Sequence, residues 1–287
     1  MKLNLRGHTL DLGRRTCIMG ILNVTPDSFW DGGKYASAEQ AIARARQMAA
    51  EGADLIDIGG ESTRPSGQSV DAREESVRIR PVVEALVASL RIPISIDTRK
   101  ASVARAMLEA GAHMVNDVSG LAFDPEMADV VREAGVPVVI MHMRGVPETM
   151  QTLTTYGDVV MDVRRELEAR VEFALTKGIK PENIVLDPGI GFAKTAEQNV
   201  EIIARLDELA ALGKPILVGP SMKSFIGKTL GLEPGDRGEA TIAACIMAAA
   251  AGANIVRVHD VAGVAKAMAM FDRIRHSGKS EKQQVGT

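Results

Sequence analysis

The sequence predicts an α/β protein that folds as a single-domain (β/α)8 TIM barrel with a short β-hairpin at its N-terminus. Short apolar or β-branched stretches of strand length alternate eight times with longer stretches of helical period. The strand stretches are almost wholly apolar, which is typical of parallel strands covered on both faces. No break in composition interrupts these units, which favours one domain over residues 1–276. An open doubly wound sheet is the alternative, because periodicity alone does not show that a sheet closes.

The leading hairpin is predicted from residues 2–13, where apolar and polar residues alternate around Gly7 and His8. Eight strands follow, each an apolar run with a polar end, at residues 16–23, 54–59, 93–97, 113–117, 136–141, 184–187, 215–218 and 255–258. Eight helices of period 3.6 are predicted at residues 38–51, 69–89, 101–110, 125–134, 159–177, 196–212, 239–251 and 261–276. Glycines just past helix ends provide the left-handed residue needed there: Gly52, Gly111, Gly135, Gly178, Gly213 and Gly252. Residues 277–287 are polar and mixed in charge, and we expect a disordered tail.

Composition limits the classes of partner. A net charge of −3 gives no general reason to expect binding to nucleic acid or to an anionic membrane. The longest apolar stretch, residues 241–251, is too short to span a membrane, and the N-terminus does not have the pattern of a signal peptide. Cys17 and Cys245 lie in apolar segments without metal-ligand spacing, so we expect two reduced thiols in a cytoplasmic protein.

Polar residues stand at the carboxyl end of every predicted strand, which is the end where this fold builds its active site. They are Asn23, Asp57, Asp97, Asn116, Asp117, His142, Asp187, Lys223, Arg257 and His259. Exposed loops explain one or two polar residues at strand ends. They explain poorly why acids, amides and bases occur together there, and we therefore interpret the strand ends as a functional rim.

Four of these residues suit a flat, polar heterocycle: Asp97, Asn116, Asp187 and Lys223. A carboxylate can accept two N–H bonds from a 2-amino-pyrimidinone edge, while amide and ammonium groups can meet ring carbonyl and nitrogen atoms. Met141 and Phe192 could form apolar walls. Any single aspartate is as readily explained by a structural salt bridge, so the evidence is the set of four.

Arg257 and His259 lie two residues apart on the last strand and therefore point to the same face. With Arg64 and Asn23 they could bind an anion near the last two strands, where this fold commonly binds phosphate. The Asn23 carbonyl oxygen is a suitable single protein ligand for Mg²⁺ held mostly by phosphate and water. Taken alone, His259 is better explained as a structural histidine.

The segments around these residues resemble the dihydropteroate synthase family of pterin-binding enzymes across essentially the whole chain. The matching segments are Asn-Val-Thr-Pro-Asp-Ser-Phe (23–29), Asp-Ile-Gly-Gly-Glu-Ser-Thr-Arg-Pro (57–65), Ser-Ile-Asp-Thr (95–98), Asn-Asp-Val-Ser-Gly (116–120), Met-His-Met (141–143), Asp-Pro-Gly-Ile-Gly-Phe (187–192), Lys-Ser-Phe-Ile-Gly (223–227) and Arg-Val-His-Asp (257–260). Several long motifs in the right order are far more specific than one short pattern.

The resemblance implies an enzyme that condenses 6-hydroxymethyl-7,8-dihydropterin pyrophosphate with p-aminobenzoate, giving 7,8-dihydropteroate and pyrophosphate with the help of Mg²⁺. It implies that the pterin is bound by Asp97, Asn116, Met141, Asp187, Phe192, Lys223 and Arg257. It implies that the pyrophosphate and its metal are bound by Asn23, Arg64, Arg257 and His259, with Asn23 as the metal ligand. It implies that p-aminobenzoate lies between Phe29, Thr63, Pro65, Lys223 and Ser224, in the pocket that sulfonamide drugs occupy in this family. The family is usually a homodimer.

The implied mechanism is a loose, SN1-like substitution. Because an aromatic amine is a poor nucleophile, the enzyme can accelerate the reaction most by helping pyrophosphate to depart. The residues that the resemblance places at the reacting centre are Asp27, Asp31, Arg64 and Lys223. A cationic pterin methylene would face Asp27, Asp31 and Asp97. The sequence has no obvious nucleophile–base pair for a covalent intermediate.

The chain departs from the family pattern at Met222 and Pro220, where Ser-Arg-Lys is usual before the pocket, and at Trp30, where a small residue is usual. These changes could alter p-aminobenzoate binding and sulfonamide sensitivity, or Met222 could simply face the neighbouring helix. Two other functions stay open. One is a methyltetrahydrofolate-dependent methyltransferase with a corrinoid partner, which would not need Phe29 or the Arg257 and His259 pair. The other is a pterin-binding protein without catalysis.

Overall fold

The computed structural model describes residues 1–25, 34–61, 70–146 and 149–277, and of residues 34–37 only the backbone. The ten strands are β1 Lys2–Leu5, β2 His8–Asp11, β3 Cys17–Asn23, β4 Leu55–Gly59, β5 Ile94–Asp97, β6 Met114–Asp117, β7 Val138–Met141, β8 Ile184–Asp187, β9 Leu217–Val218 and β10 Ile255–Val258. The helices in these ranges are α1 Lys34–Glu51, α2 Ala72–Ser89, α3 Ala101–Glu109, α4 Met127–Ala134, α5 Val159–Thr176, α6 Ala196–Ala204, α7 Asp207–Ala210, α8 Ser224–Leu230, α9 Gly238–Ala250 and α10 Val261–Ser277.

Eight parallel strands form one sheet in the order β8-β7-β6-β5-β4-β3-β10-β9. A parallel bridge between Leu186 and Ile216 joins the two end strands, and Leu186 N donates to Pro215 O at 2.9 Å. The sheet therefore closes into the predicted barrel, and the open doubly wound alternative is wrong. In the described ranges, no helix combines the length and the apolar character that a membrane span requires.

The N-terminal hairpin is also confirmed, with β1 and β2 pairing antiparallel from Lys2 opposite Asp11 to Leu5 opposite His8. Its leucines pack on the inward-facing residues at the N-terminal ends of the strands. This apolar layer consists of Leu3, Leu5, Leu10, Leu12, Cys17, Met19, Leu55, Met114, Val139, Val185, Leu217 and Ile255. A larger core fills the space between the outer faces of the strands and the surrounding helices. The hairpin therefore closes one end of the barrel.

Two helical segments differ from the prediction. The helix expected over residues 196–212 is interrupted after Ala204, where Arg205 leaves the helical conformation and its side chain binds Asp158, Glu201 and Glu208. The short helix α8 was not predicted, because seven residues around Gly227 show too little periodicity. The last helix ends at Ser277, and the rest of the predicted tail lies outside the described residues.

The predicted glycines adopt left-handed backbone conformations. Gly135, for example, ends α4 with a φ of +64°, and its N–H donates to Val131 O and Arg132 O. Such a φ is unfavourable for other residues, so glycine at this point ends the helix and turns the chain towards β7.

Candidate active site

The inward-facing residues at the carboxyl ends of the strands form a second, polar layer. Its members are Asp57, Asp97, Asn116, Asp187 and Arg257. Side chains alternate between the two faces of a strand, so each polar residue points to the same side as the residue two positions earlier. On β4, β6, β8 and β10 that earlier residue belongs to the apolar layer. The polar layer therefore lies directly above the apolar layer, inside the barrel.

Arg257 connects one side of the polar layer. Its Nε donates to Asp57 Oδ2 at 2.6 Å, and its Nη2 donates to Asp97 Oδ2 at 2.5 Å. The amide Nδ2 of Asn116 donates to the same Asp57 oxygen at 2.8 Å. The structure thus brings Asp97, Asn116 and Arg257 together, as their positions at strand ends predicted.

Asp57 is central to this arrangement, although the family motifs assigned it no ligand. Its side chain is fully buried in the middle of β4. The signal that could have identified it is a carboxylate at an inward-facing position of an otherwise apolar strand. Since buried carboxylates need partners, such a residue indicates a polar site inside the barrel.

Two oxygens of this layer have no hydrogen-bond partner among the described residues, namely Oδ1 of Asp57 and Oδ1 of Asp97. Both atoms are buried, and a buried acceptor without a donor costs about 1–3 kcal/mol. A bound molecule with N–H groups would offset that cost. The polar layer is therefore suited to a ligand that presents several N–H donors.

Asp187 and Lys223 occupy the other side of the site. Asp187 Oδ1 accepts a hydrogen bond of 2.7 Å from Gly189 N, and Lys223 Nζ donates to Ile190 O. Lys223 Nζ also lies 4.8 Å from the centre of the Phe192 ring, which is a cation–π contact. Phe192 and Met141 belong to one small apolar cluster. The two predicted walls and the predicted cation are therefore neighbours.

The charged groups on the two sides of the site interact electrostatically, so both sides belong to one site at the same end of the barrel. Burial raises the pKa of Asp97 to about 7 against the opposing effect of Arg257. Burial lowers the pKa of Lys223 to about 8, although Asp187 and Asp97 oppose this change. The pKa of Asp187 is also raised by burial, with Lys223 opposing. Burial lowers the pKa of Arg257 but its carboxylate neighbours outweigh burial, so the net pKa is raised and the guanidinium stays charged.

The residues predicted to bind the anion are less closely grouped. Asn23 is half-buried at the end of β3, opposite Gly59 in the register. His259 shares a 3.0 Å hydrogen bond between its Nδ1 and Ser221 Oγ, and its backbone carbonyl accepts from Arg44 Nη2 at 3.0 Å. The guanidinium of Arg257 points to the carboxylates described above. Binding of pyrophosphate by these residues stays a prediction.

The remaining predicted residues divide into two groups. Ser224 is exposed at the first position of α8, directly after Lys223. The others lie outside the described residues, and they are Asp27, Phe29, Trp30, Asp31, Thr63, Arg64 and Pro65. Within the described ranges, no group of three or more His, Cys, Asp or Glu side chains could hold a metal ion.

Met222 faces the neighbouring helix, which is the simpler of the two interpretations of this departure. Its backbone N–H donates to Thr241 Oγ1 of α9 at 3.1 Å, and its sulfur lies 3.9 Å from the same oxygen. Its φ of +57° is in the left-handed region. The side chain is thus directed by a turn that packs on α9.

Comparison with known proteins identifies the family. A sequence model of the family described as "Pterin binding enzyme" matches residues 19–259. A protein from Synechocystis sp. named dihydropteroate synthase is 52% identical over 270 residues, which cover 93% of each chain. The chain belongs to the dihydropteroate synthase family.

Solved structures of this family have the same fold. The dihydropteroate synthase of Xanthomonas albilineans with 4-aminobenzoic acid superimposes with a TM-score of 0.90 at 44% identity, covering 96% of this chain and 98% of that one. The X. albilineans dihydropteroate synthase in complex with 7,8-dihydropteroate gives a TM-score of 0.87 at 42% identity, with 96% and 99% covered. The resemblance inferred from the motifs is confirmed. The chain is an enzyme of the transferase class that acts in folate biosynthesis, so the methyltransferase and the non-catalytic alternatives are set aside.

Proposed function

We propose that the chain joins 6-hydroxymethyl-7,8-dihydropterin pyrophosphate to p-aminobenzoate, producing 7,8-dihydropteroate and pyrophosphate. The observation that carries this proposal is a pair of buried oxygens, one of Asp57 and one of Asp97, that have no hydrogen-bond partner in the part of the chain that the structure describes. The pterin ring system has N–H groups of its own and a 2-amino group, which are the donors that these oxygens lack.

The rest of the pterin site follows from the same geometry. Asp187 supplies a third carboxylate, while Asn116 and Lys223 supply N–H donors for the ring carbonyl and nitrogen atoms. Met141 and Phe192 provide the apolar surface on which a flat ring can lie. Arg257 fixes the carboxylates of Asp57 and Asp97 in place before the ligand arrives, so less ordering is required on binding.

The reaction would proceed by a loose, SN1-like substitution in which pyrophosphate departs before the amine bonds fully. Asn23, Arg64, Arg257 and His259 are the proposed pyrophosphate ligands, and loss of one such charge-stabilising donor typically costs about 2.7–4 kcal/mol of transition-state free energy. Mg²⁺, when bound, would neutralise part of the charge on the departing group. Asn23 offers one side-chain oxygen for it, which fits an ion held mostly by phosphate and water. Asp27 and Asp31 would stabilise the cationic methylene.

The second substrate would approach from the open end of the barrel. The X. albilineans relative binds 4-aminobenzoic acid, and we infer that this chain binds it between Phe29, Thr63, Pro65, Lys223 and Ser224. Of these, Lys223 is directly beside the proposed pterin position, because its Nζ contacts the Phe192 ring. It could therefore contact both substrates.

Two further inferences concern the whole chain. We infer a homodimer in which α9 and α10 contact a second copy, because Met247, Met270 and Ile274 are exposed on these neighbouring helices. Since Cys17 and Cys245 are buried free thiols, we also infer a reducing, cytoplasmic location.

The decisive experiment measures pyrophosphate release from the pterin pyrophosphate with and without p-aminobenzoate, in Mg²⁺ and in chelator. The proposal expects release that depends on p-aminobenzoate and on Mg²⁺. Release that ignores p-aminobenzoate would indicate hydrolysis, and pterin binding without release would indicate a protein without catalysis. Metal-independent turnover would remove Mg²⁺ from the proposal.

Binding measurements by calorimetry test the pterin site separately. Asp187→Asn should weaken pterin affinity about tenfold or more, which corresponds to about 1.4 kcal/mol or more. Asp207→Asn makes the same chemical change at an exposed position of α7 and should leave affinity unchanged. Equal affinities of the two variants would contradict the assignment of Asp187.

A further inference from the structure

Lys194 is a buried lysine for which neither the motifs nor the proposed mechanism has a use. Its side chain is only 4% exposed. The ammonium group makes three contacts, with Phe192 O at 2.9 Å, His142 Nδ1 at 3.0 Å and Gly189 O at 3.1 Å. An ammonium group has three N–H donors. Each donor therefore has its own acceptor, and two of the three acceptors belong to the loop that follows β8.

That loop, residues 188–194, is tightly wound. Gly189, Gly191 and Ala193 all have positive φ, at +71°, +84° and +50°. A Cβ on Gly189 would lie 2.0 Å from His142 O, so the loop passes directly against the end of β7. Ala193 is not a glycine, and a left-handed conformation there costs of the order of 1 kcal/mol or more. The contacts of Lys194 with Gly189 O and Phe192 O help to offset this cost, together with the Tyr156 hydroxyl, which donates to Ala193 O at 2.9 Å.

The same loop supports the substrate-facing groups of the site. Its Ile190 carbonyl accepts from Lys223 Nζ, and its Phe192 ring lies against the same ammonium group. A Cβ on Gly191 would lie 3.0 Å from Cδ of Lys223, so the backbone also limits the path of that side chain. The position of Lys223 therefore depends on the shape of the loop.

His142 connects Lys194 to a neighbouring element. Its Nε2 lies 3.0 Å from Glu166 Oε2 of α5, and Glu166 is also bound by Arg144. Burial lowers the pKa of Lys194 to about 7, and in its ammonium form it can only donate. Burial also lowers the pKa of His142 to about 4, so the imidazole is neutral. His142 Nδ1 then accepts from Lys194, which leaves the proton on Nε2 to be donated to Glu166. This tautomer fixes the imidazole and, with it, the ammonium group of Lys194.

We propose that Lys194 is a positioning residue, which holds the loop 188–194 so that Ile190 and Phe192 keep Lys223 in place for the pterin. This inference rests on the proposed function, since it takes the ligand of Lys223 to be the pterin. Lys194 itself lies behind the loop and acts through Lys223.

A double-mutant cycle tests whether the two lysines are coupled. The probe is 6-hydroxymethyl-7,8-dihydropterin pyrophosphate, titrated into the full-length protein in a calorimeter. Lys194→Met should weaken affinity at least tenfold. On a Lys223→Met background it should weaken affinity less than twofold, because the residue through which it acts is gone. If that background binds too weakly to measure, Phe192→Leu replaces it, and Lys194→Met should then cost less affinity than it does in the wild type, because one of the two contacts that position Lys223 is already changed.

Two further variants serve as controls. Lys214→Met removes an ammonium group that lies outside the site and donates to Pro181 O at a distance of 2.8 Å. This variant should change affinity less than twofold. Lys194→Gln keeps two N–H donors and should restore part of the affinity lost in Lys194→Met. If Lys194→Met does not fold, as judged by near-ultraviolet circular dichroism, the cycle is run with Lys194→Gln.

The outcomes separate this inference from the proposed function. If the wild type does not bind the probe, the proposed function fails. If the wild type binds but Lys194→Met binds equally well, Lys194 has no positioning role. Equal losses on both backgrounds would also overturn the inference, since they would show that Lys194 acts independently of Lys223.

Discussion

The two layers inside the barrel differ sharply although the same strands build them. Leu55 precedes Asp57 by two residues on β4, and Ile255 precedes Arg257 by two residues on β10. The lower layer is the apolar one, which includes the hairpin leucines and is almost fully buried. The upper layer is the polar one, and it holds charges that cost free energy to bury. One of them is Asp97, because burial raises the pKa of its carboxyl group to about 7. Stability and ligand recognition are thus separated along single strands by two residues, about 6–7 Å.

This separation predicts which substitutions should change stability and which should change ligand binding. Burial of apolar area stabilises the lower layer by about 25 cal/mol per Å². Buried ion pairs such as those of Arg257 contribute little net stability, but they are costly to break. The largest effects are therefore expected where one substitution breaks a buried ion pair and so lowers both stability and ligand binding.

Arg257→Ala should have the largest effect, because it leaves the carboxylates of Asp57 and Asp97 buried without their cation. We expect a loss of about 3–5 kcal/mol in the free energy of unfolding, measured with urea, together with loss of turnover. The loss of stability should shrink at pH 5, where Asp97 can be protonated. A variant with wild-type stability and activity would show that the upper layer is not held by this residue.

Leu5→Ala should lower the free energy of unfolding by about 2–5 kcal/mol, because Leu5 is fully buried in the apolar layer. Below its melting temperature the variant should keep kcat/KM within about twofold of wild type. Thermal melts and initial rates check the two properties independently. A large loss of kcat/KM in folded Leu5→Ala protein would mean that the layers are not separate.

The pH dependence of pterin binding should report the charge of Lys223, which lies beside the polar layer. Its pKa in the folded protein is about 8, below the ordinary 10.5, so it loses its charge as the pH rises above 8. Affinity should then fall by up to about tenfold per pH unit. Lys223→Arg, which stays charged, should lack this decrease. The effect on folding has the opposite sign, because the unfolded chain binds the extra proton between pH 8 and 10.5, so stability rises with pH there.

Met222→Arg should have the smallest effect, since Met222 faces α9 and not the polar layer. We expect KM for p-aminobenzoate and inhibition by sulfonamides to stay within about twofold of wild type. The change is at the rim, where an arginine can extend into solvent. A larger shift in either quantity would restore the hypothesis that this position sets specificity.

Much of the fold could be predicted because its signals are local. The eight strands, the hairpin and the left-handed glycines follow from periodicity and backbone preference. The break between α6 and α7 could not be predicted, since Arg205 binds Asp158 from a distant part of the chain. Closure of the barrel likewise depends on the pairing of Leu186 with Ile216, which no local pattern shows.

For the candidate site, the sequence could predict which residues come together better than it could predict how they bond to one another. Motifs placed Asp97, Asn116, Asp187, Lys223 and Arg257 at strand ends, and the structure brings them together. They did not show that Asp57 shares its oxygen between Asn116 and Arg257. Such sharing depends on register and barrel stagger, which one sequence does not reveal.

The hairpin at the N-terminus determines from which end of the barrel a ligand can enter. Arg6 Nη1 donates to the carbonyls of Leu108 and Ala112, at 2.6 and 3.0 Å, which ties the hairpin to the end of α3 and the start of the next unit. Because the hairpin closes this end of the barrel, a ligand has to reach the polar layer from the carboxyl ends of the strands. Under the proposed function the pterin lies deeper in the barrel than p-aminobenzoate and therefore has to bind before it, so the fold determines the order in which the substrates bind.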